Sequence, residues 1–286
     1  MLPLFQAVLW MMGTLVSFTS LAIAGRALLD TIGVFEVMFF RNLIGLLILL
    51  AFTRRGFFSL ARTDRLGFHC FRNALQFAGQ SMWFAALTLL PLATVFALEF
   101  TIPIWAAIMA VLFLSEHMNQ GRVVSVGLGF VGILLITRPG FTAFDPAMLM
   151  MILVAIFFAG NLIATKSLTN SDSALTIIFY MCALQAPLGL GLALLDWRPV
   201  AMEDLIWIAI LGITGLSSHY CLARAFALAD ATVVIPMDFM RLPLAAMVGF
   251  WLYNEVFDAA VLAGAALICA GIYYSLRFEA QLARGE

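Results

Sequence analysis

A polar stripe runs through an otherwise apolar segment near the end of the first quarter of the chain. Four side chains follow helical spacing over about three turns: Arg72, Gln76, Gln80 and Trp83. On a helix of 100° per residue they fall within about 80° of one another. Such amides often hold neighbouring membrane helices together. A continuous stripe of four indicates instead that these side chains line a cavity and form hydrogen bonds with a polar solute.

Two acidic residues, Glu99 and Asp238, also lie within apolar segments, and each is followed by phenylalanine. A charge at mid-membrane costs a few kcal/mol, so it needs a partner or a water-filled cavity. Pro103 and Pro243 each remove a helical N–H close to one of these carboxylates, which predicts a bend in both helices. Two roles stay open here. The acids contact a solute in a cavity, or Asp238 forms an internal pair with Arg241, three residues later.

Three further side chains within apolar segments are predicted to line the same cavity: Trp105, Asn161 and His219. Trp83 and Trp105 would form a stacking wall. Arg41 lies midway along the second segment, where we expect it to pair with a carbonyl or acid of a neighbouring helix. Arg72 and Arg241 are the cations that would meet a carboxylate or phosphate, and Glu99 or Asp238 would meet an amine or carry a coupling proton.

Several classes of chemistry have no support in the sequence. The histidines His69, His117 and His219 lack metal-ligand spacing, no nucleotide-binding loop is present, and nothing resembles a nucleophile motif. These observations predict neither an enzyme nor a metal or cofactor site. The four cysteines lie in apolar stretches without a paired spacing, so no disulfide is expected. The net charge of −1 comes from scattered residues and indicates no nucleic-acid partner.

The elements that position these residues are apolar segments. The chain is 64% hydrophobic and only 11% charged, which is typical of an integral membrane protein. About 20 apolar residues cross a bilayer, and ten segments of about that length are found: 4–24, 32–53, 66–90, 92–115, 122–138, 147–166, 174–195, 204–228, 231–253 and 258–276. The third and fourth are separated only by a tight turn at Leu90-Pro91-Leu92.

The ten segments consist of two copies of one five-helix unit. Aligning residues 84–138 with 222–277 superposes Ala93-Thr94 on Ala231-Thr232 and, one inserted residue later, Glu99 on Asp238. We therefore predict an all-α membrane fold with repeats at 1–138 and 139–286. An odd number of spans inverts the second repeat, and inverted repeats are common in carriers. Small residues four apart recur in the fifth and tenth segments, which predicts a scaffold pair away from the cavity.

Lysine and arginine in the loops predict the orientation. With a cytoplasmic N-terminus, the inner side carries more of them: Arg54, Arg55, Arg62, Arg65, Arg122, Lys166, Arg277 and Arg284, against Arg26, Arg138 and Arg198 outside. Both termini are therefore expected in the cytoplasm. Ala22-Ile23-Ala24 resembles a signal-peptidase site, but no positive region precedes it. We expect the first helix to be retained.

The two matched segments resemble the ten-helix EamA-like family of the drug/metabolite transporter superfamily. The resemblance is carried by GQSMWFAALTLLPLATVFALEFTIPIWAAIMAVLFLSE and FMRLPLAAMVGFWLYNE and covers essentially the whole chain. It implies a secondary carrier of the cytoplasmic membrane whose cavity is lined by helices one, three, four, six, eight and nine. The Asp-Phe-x-Arg-Leu-Pro sequence of the ninth segment resembles members linked to riboflavin, S-adenosylmethionine or carboxylate transport.

The sequence thus predicts a transporter that works by alternating access and moves an amino acid, carboxylate or similar small polar metabolite. The alternative is import of a larger, cofactor-like metabolite such as riboflavin or S-adenosylmethionine. A non-transporting membrane scaffold is a different class, and it would not need a polar stripe through mid-membrane. The predicted partners are the small-molecule substrate and the lipid bilayer. Coupling to protons, and a monomeric or homodimeric state, stay open.

Overall fold

A computed structural model describes residues 2–52, 61–114, 119–138, 145–168, 171–228, 237–238 and 240–284. Within these ranges the chain is helical, with short turns and no strand. The longer helices are α1 Leu2–Leu29, α2 Val34–Phe52, α3 Leu66–Leu89, α4 Leu92–Glu99, α5 Ile102–Leu114, α6 Gln120–Thr137, α7 Pro146–Leu168, α8 Ala174–Ala193, α9 Asp204–Leu228, α10 Arg241–Tyr253 and α11 Ala259–Arg284.

Eight stretches of the described chain are long and apolar enough to cross a membrane, and α4 and α5 together make one of them. The third predicted segment, α3, has 24 residues, but its polar stripe lowers its hydropathy. The described part of the ninth, α10, has only 13 residues. The chain is therefore a multi-pass helical membrane protein, while the count of ten spans and the inverted repeat remain predictions. Ala231 and Thr232, which support the repeat alignment, lie outside the described residues.

The turn between the third and fourth segments is confirmed. α3 ends at Leu89, Leu90 is extended with φ −123° and ψ 152°, and Pro91 precedes the first residue of α4. Proline suits this position because the first residues of a helix have no intrahelical partner for their N–H groups. Two antiparallel helices follow each other with almost no loop.

The predicted bend beside Glu99 is also confirmed. The helix stops at Glu99 and restarts at Ile102, so α4 and α5 are two halves of one span. The Thr101 N–H bonds to the Leu98 carbonyl three residues earlier, which tightens the chain at the break. Pro103 contributes no N–H to the Glu99 carbonyl, and this missing bond is the local cause.

Several helix pairs join the first half of the chain to the second. α1 packs against α9, α3 against α7, α2 against α8, α4 against α10, and α6 against α11. In the α6–α11 pair the backbones approach closely. A Cβ added at Gly132 would lie 2.6 Å from the carbonyl oxygen of Gly264, and the reverse distance is also 2.6 Å. The small residues of the fifth and tenth segments thus allow this close contact.

Ionic and polar contacts tie the helices at both ends of the bundle. At the end predicted to face outward, Glu255 pairs with Arg26 of α1 and accepts a hydrogen bond of 2.8 Å from the Leu92 N–H. At the opposite end, Arg65 donates to the Ser167 carbonyl at 2.9 Å. These contacts therefore join the first half of the chain to the second half at both ends of the helix bundle.

Candidate functional site

A cavity of about 300 Å³ lies among α1, α3, α4, α7, α9 and the starts of α5 and α10. Its volume is at the lower end of the range of ligand pockets, about 300–1,000 Å³. Nine of the ten residues predicted for the site line it: Arg72, Gln76, Gln80, Trp83, Glu99, Asn161, His219, Asp238 and Arg241. No residue of α6 or α11 contributes, so the scaffold pair lies away from this cavity.

Arg241 is at the centre of an ionic network in the wall of the cavity. Its Nη1 donates to Glu99 Oε1 at 2.9 Å, and its Nη2 donates to Asp238 Oδ2 at 2.7 Å. The other oxygen of Glu99 accepts a hydrogen bond of 2.8 Å from the Trp83 indole. The guanidinium therefore joins the two acids that the repeat alignment places in equivalent positions. The internal pair of Asp238 with Arg241 is therefore present, and Glu99, Asp238 and Arg241 also line the cavity.

Three aromatic rings surround the same guanidinium. The Arg241 Cζ lies 4.8 Å from the ring centre of Phe18, 5.3 Å from Phe96 and 5.2 Å from Phe100. A cation over an aromatic face is stabilised by the ring quadrupole, more so where water is excluded. With only 5% of its surface exposed, Arg241 is held from several sides and acts as the clamp between α4 and α10.

The α3 stripe presents hydrogen-bonding groups along the cavity. Gln76 donates to Gln80 at 3.3 Å, so the two amides orient each other. Arg72 donates from Nε to the Thr165 hydroxyl at 3.1 Å and from Nη1 to Asn73 Oδ1 at 3.3 Å. Both of these partners are neutral. Unlike Arg241, Arg72 has no carboxylate within ion-pair distance among the described residues.

α7 and α9 supply the facing wall. Asn161 lines the cavity, and its Oδ1 has no hydrogen-bond partner among the described residues. His219 lies edge-on to Phe18, with ring centres 5.7 Å apart. Sequence reasoning missed Phe18, Phe158 and Thr165 as lining residues. Thr165 is one helical turn after Asn161, so helical spacing was a usable signal for it, whereas nothing in the sequence distinguishes Phe18 from its apolar neighbours.

Trp105 does not line this cavity. Its ring packs edge-on against Phe130 of α6, with centres 5.7 Å apart, and its indole nitrogen has no partner in the described part of the chain. The reason is the break between α4 and α5. After the interruption at Phe100 and Thr101, the second half-helix turns Trp105 toward α6 instead of the cavity.

Arg41 also differs from the prediction. Its side chain is 3% exposed, and none of its three guanidine nitrogens has a hydrogen-bond partner among the described residues. It borders a separate small cavity of about 10 Å³ between α2, α8 and α9. In the described part of the chain, the expected carbonyl or acid of a neighbouring helix does not accept a hydrogen bond from it. No group of three or more His, Cys, Asp or Glu side chains suited to a metal ion occurs in the described ranges.

Comparison with known proteins gives consistent matches over most of the chain. The model of the EamA-like transporter family matches residues 5–138 and again 145–277. The chain is 30% identical over 270 residues to an S-adenosylmethionine uptake transporter of Rickettsia bellii, covering 94% of this chain and 93% of that protein. It is 31% identical over 229 residues to a riboflavin transporter of Vibrio cholerae, covering 79% of this chain and 76% of that protein.

A solved crystal structure shares the fold. It superposes with a TM-score of 0.66 over 96% of this chain and 98% of that chain, at 17% sequence identity. Identity this low supports the fold alone. The repeated family match and the relatives over most of the chain go further: this protein is a membrane transporter and belongs to the EamA-like transporter family.

Proposed function

We propose that this chain is a secondary transporter of the cytoplasmic membrane that moves S-adenosylmethionine, or a closely similar nucleoside-bearing cofactor, by alternating access. The relatives named for S-adenosylmethionine and riboflavin favour this cofactor-sized class over the free amino acid or simple carboxylate that the charges alone suggested. The observation that carries the proposal is the cavity of about 300 Å³, with its long polar lining.

The length of that lining argues for an extended substrate. Arg72 and Trp83 are eleven positions apart on α3, about 16 Å at 1.5 Å per residue. Arg72 lies at one end and the Glu99–Arg241–Asp238 network at the other. A free amino acid is too short to reach both groups. A methionyl chain joined to ribose and adenine is long enough to contact the full stripe.

The charges argue for a substrate that carries a carboxylate. Glu99 and Asp238 are both bonded to Arg241, whereas Arg72 is bonded only to neutral groups. Arg72 is therefore the cation of the cavity most available for a carboxylate, as in the methionyl part of S-adenosylmethionine. Gln76, Gln80 and Asn161 would hydrogen-bond the ribose and base, with Phe18 and Phe158 against the rings.

The pairing of helices supports alternating access. In the predicted repeat the first span corresponds to the sixth and the third to the eighth. The α1–α9 and α3–α7 pairs are then equivalent, and the other three pairs are self-equivalent. Because these contacts are equivalent, one can open while the other closes as the carrier changes between its two half-closed states. If Glu99 or Asp238 took up a proton, that carboxyl group would bind Arg241 more weakly. Coupling to protons would thus loosen the contact between α4 and α10.

The test is uptake of radiolabelled S-adenosylmethionine by proteoliposomes, with unlabelled riboflavin, methionine and adenosine as competitors. Saturable uptake inhibited by S-adenosylmethionine analogues, and weakly by methionine, is expected. The variant Gln76→Leu should reduce this uptake. Gln185→Leu is the matched control, since Gln185 is a buried glutamine that bonds to Asn73 and does not line the cavity. Transport of methionine alone would contradict the proposal.

Arg72→Gln separates the two cofactor classes. Loss of a charge-assisted hydrogen bond costs about 1.5–3 kcal/mol, which corresponds to a rise in KM for S-adenosylmethionine of about 10- to 100-fold. Riboflavin has no carboxylate, so its transport should be nearly unchanged by the substitution. Uptake of riboflavin that is saturable and insensitive to Arg72→Gln, with no uptake of S-adenosylmethionine, would reassign the substrate to riboflavin.

A further inference from the structure

Glu255 joins three helices at the end of the bundle that is predicted to face outward. Its carboxylate pairs with Arg26 of α1 and accepts a hydrogen bond of 2.8 Å from the Leu92 N–H at the start of α4. The first N–H groups of a helix lack intrahelical partners and favour a negative charge. Glu255 itself follows α10, and its own N–H donates to the Gly249 carbonyl at 3.0 Å. We call Arg26, Glu255 and Leu92 the outer latch.

The local chain positions both charged groups of the outer latch. A Cβ at Gly249 would overlap Oε2 of Glu255, so glycine leaves the room in which the carboxylate lies over α10. Asn254 ends α10 in the left-handed region, with φ 52°, and turns the chain back toward Gly249. The Arg26 Cζ lies 4.0 Å from the ring centre of Tyr253, which holds the guanidinium over an aromatic face. The ion pair is therefore supported from both sides.

A packed layer separates the outer latch from the main cavity of about 300 Å³. On α3 the last residue that lines this cavity is Trp83, and the next residue, Phe84, is fully buried. On α4, Val95 and Phe96 lie between Leu92 and the cavity, and both are also fully buried. The main cavity is therefore closed toward the latch by close-packed side chains.

α1 contributes to the outer latch and to the packed layer through two adjacent residues. Arg26 pairs with Glu255, and a Cβ at Gly25 would lie only 2.5 Å from a ring carbon of Phe84. A movement of α1 would therefore break both contacts together. A second cavity of about 460 Å³ is lined by Glu255 and Thr94, and it shares no lining residue with the main cavity. The chain thus has one cavity on each side of the layer.

We propose that the outer latch and the packed layer form the gate on the outer side of the transport cavity, and that this structure is the state in which the gate is closed. To open it, Glu255 releases Arg26, and α1 moves away from Phe84. The side chains of Arg26 and Glu255 are 21% and 13% exposed, so water can solvate both charges when they separate. The inference rests on the alternating access of the proposed function and not on which metabolite is carried.

The first test measures how fast a membrane-impermeant maleimide, added outside spheroplasts, alkylates a cysteine placed in the main cavity by Gln80→Cys. Glu255→Gln keeps an acceptor for the Leu92 N–H and removes the charge that pairs with Arg26. We expect labelling to become about tenfold faster, the low end for loss of a charge-assisted bond. Labelling of the protein without the added cysteine is subtracted. An unchanged rate would overturn the gate, and a slower rate would overturn its assignment to the outer side.

Two further variants assign the effect to the outer latch. Gly249→Ala keeps every charge but displaces the Glu255 carboxylate, so it should also speed labelling, and it keeps the proposal testable if Glu255→Gln does not fold. Arg138→Gln is the matched control, because it removes another ion pair, with Asp258, that joins α6 to α11. It should leave the labelling rate unchanged. An equal increase in Arg138→Gln would mean general loosening of this end and would contradict the proposal.

Transport kinetics separate a gate from a purely structural contact. The apparent affinity for an external substrate is reduced by the fraction of carriers that are open to that side. Glu255→Gln should therefore lower the KM for external S-adenosylmethionine, by up to about tenfold, and leave its Kd in detergent nearly unchanged. An unchanged KM would mean that opening this end does not admit the metabolite, against the proposal. If S-adenosylmethionine is not transported while labelling responds as expected, the proposed substrate is wrong and the gate is supported.

Discussion

Arg241 and Arg41 are the same residue type at similar burial, 5% and 3% exposed, yet their surroundings are opposite. Arg241 bonds two carboxylates and lies among three aromatic rings. Arg41 has no hydrogen-bond partner in the described part of the chain. The first cation is neutralised by neighbouring side chains, whereas the described residues supply no counter-charge for the second.

The difference matters for a transporter because the two arrangements respond to different events. The Arg241 network joins α4 to α10 and borders the main cavity, so a substrate cation or a proton on either acid competes directly with it. Arg41 lies in a separate small pocket that shares no lining residue with the main cavity, so a substrate in that cavity does not compete for it directly. One charge is suited to the transport cycle and the other to a constant structural role.

The largest expected effect is that of Arg241→Gln. The substitution leaves the buried Glu99 and the partly buried Asp238 without their shared cation, which should cost about 3–5 kcal/mol of stability. Denaturant unfolding in detergent measures it. Arg41→Gln should show no such loss, because it removes a buried charge that has no partner among the described residues. Comparing the two variants tests the difference between the two arginines directly.

A double variant shows whether the cost comes from the unpaired acids. Arg241→Gln combined with Glu99→Gln should lose less stability than the sum of the two single variants, because residues in one ionic network do not act independently. Additive losses would mean that Arg241 contributes mainly by packing against Phe18, Phe96 and Phe100, and its description as a paired cation would have to be given up.

The two tryptophans repeat the contrast between paired and unpaired polar groups, with a smaller expected effect. The Trp83 N–H donates to Glu99 at 2.8 Å, whereas the Trp105 N–H has no partner among the described residues. Trp83→Phe should lose about 1.5–3 kcal/mol for a hydrogen bond to a charged group, and Trp105→Phe less. Repeating Trp83→Phe in a Glu99→Gln background separates the effect of the carboxylate charge from that of the lost ring volume, since the glutamine oxygen can accept only a neutral hydrogen bond. An equal cost in both backgrounds would mean that the charge adds nothing to this bond.

Hydropathy predicted most helix bounds well because a bilayer admits only long apolar helices with satisfied backbone groups. The segment predicted at 204–228 is α9, Asp204–Leu228, and the tight turn at Pro91 lies where it was expected. α11 extends to Arg284, beyond the predicted end at 276, since helical hydrogen bonding continues past the apolar part of the segment. The side-chain stripe on α3 was readable because it depends only on spacing within one helix.

The remaining features depend on which helices meet, and no single segment encodes that. The three rings around Arg241 come from α1, α4 and the break after α4. Trp105 faces α6 because the interrupted span changes direction. Arg41 has the same appearance in sequence as any buried arginine of a membrane helix. Only the packing of α2 against α8 and α9 reveals that no acid faces it in the described chain.

The substitution with the smallest expected effect, Gly215→Ala, tests whether the space at Gly215 is needed by the Arg41 side chain. Gly215→Ala would place a Cβ 2.9 Å from Nε and 3.1 Å from Cγ of Arg41. We expect a cost of about 1 kcal/mol, at the low end for overpacking, because a long side chain can yield. Gly191→Ala is the control. Nothing lies within 4 Å of its added methyl group, so it should be neutral or slightly stabilising.

The Gly215 substitution in an Arg41→Ala background completes the comparison. With the guanidinium absent, the added methyl group has nothing to displace, and Gly215→Ala should then behave like Gly191→Ala. If the cost of Gly215→Ala persists without Arg41, the glycine serves helix packing alone. The contrast between the two arginines would then rest on the stabilities of Arg241→Gln and Arg41→Gln alone.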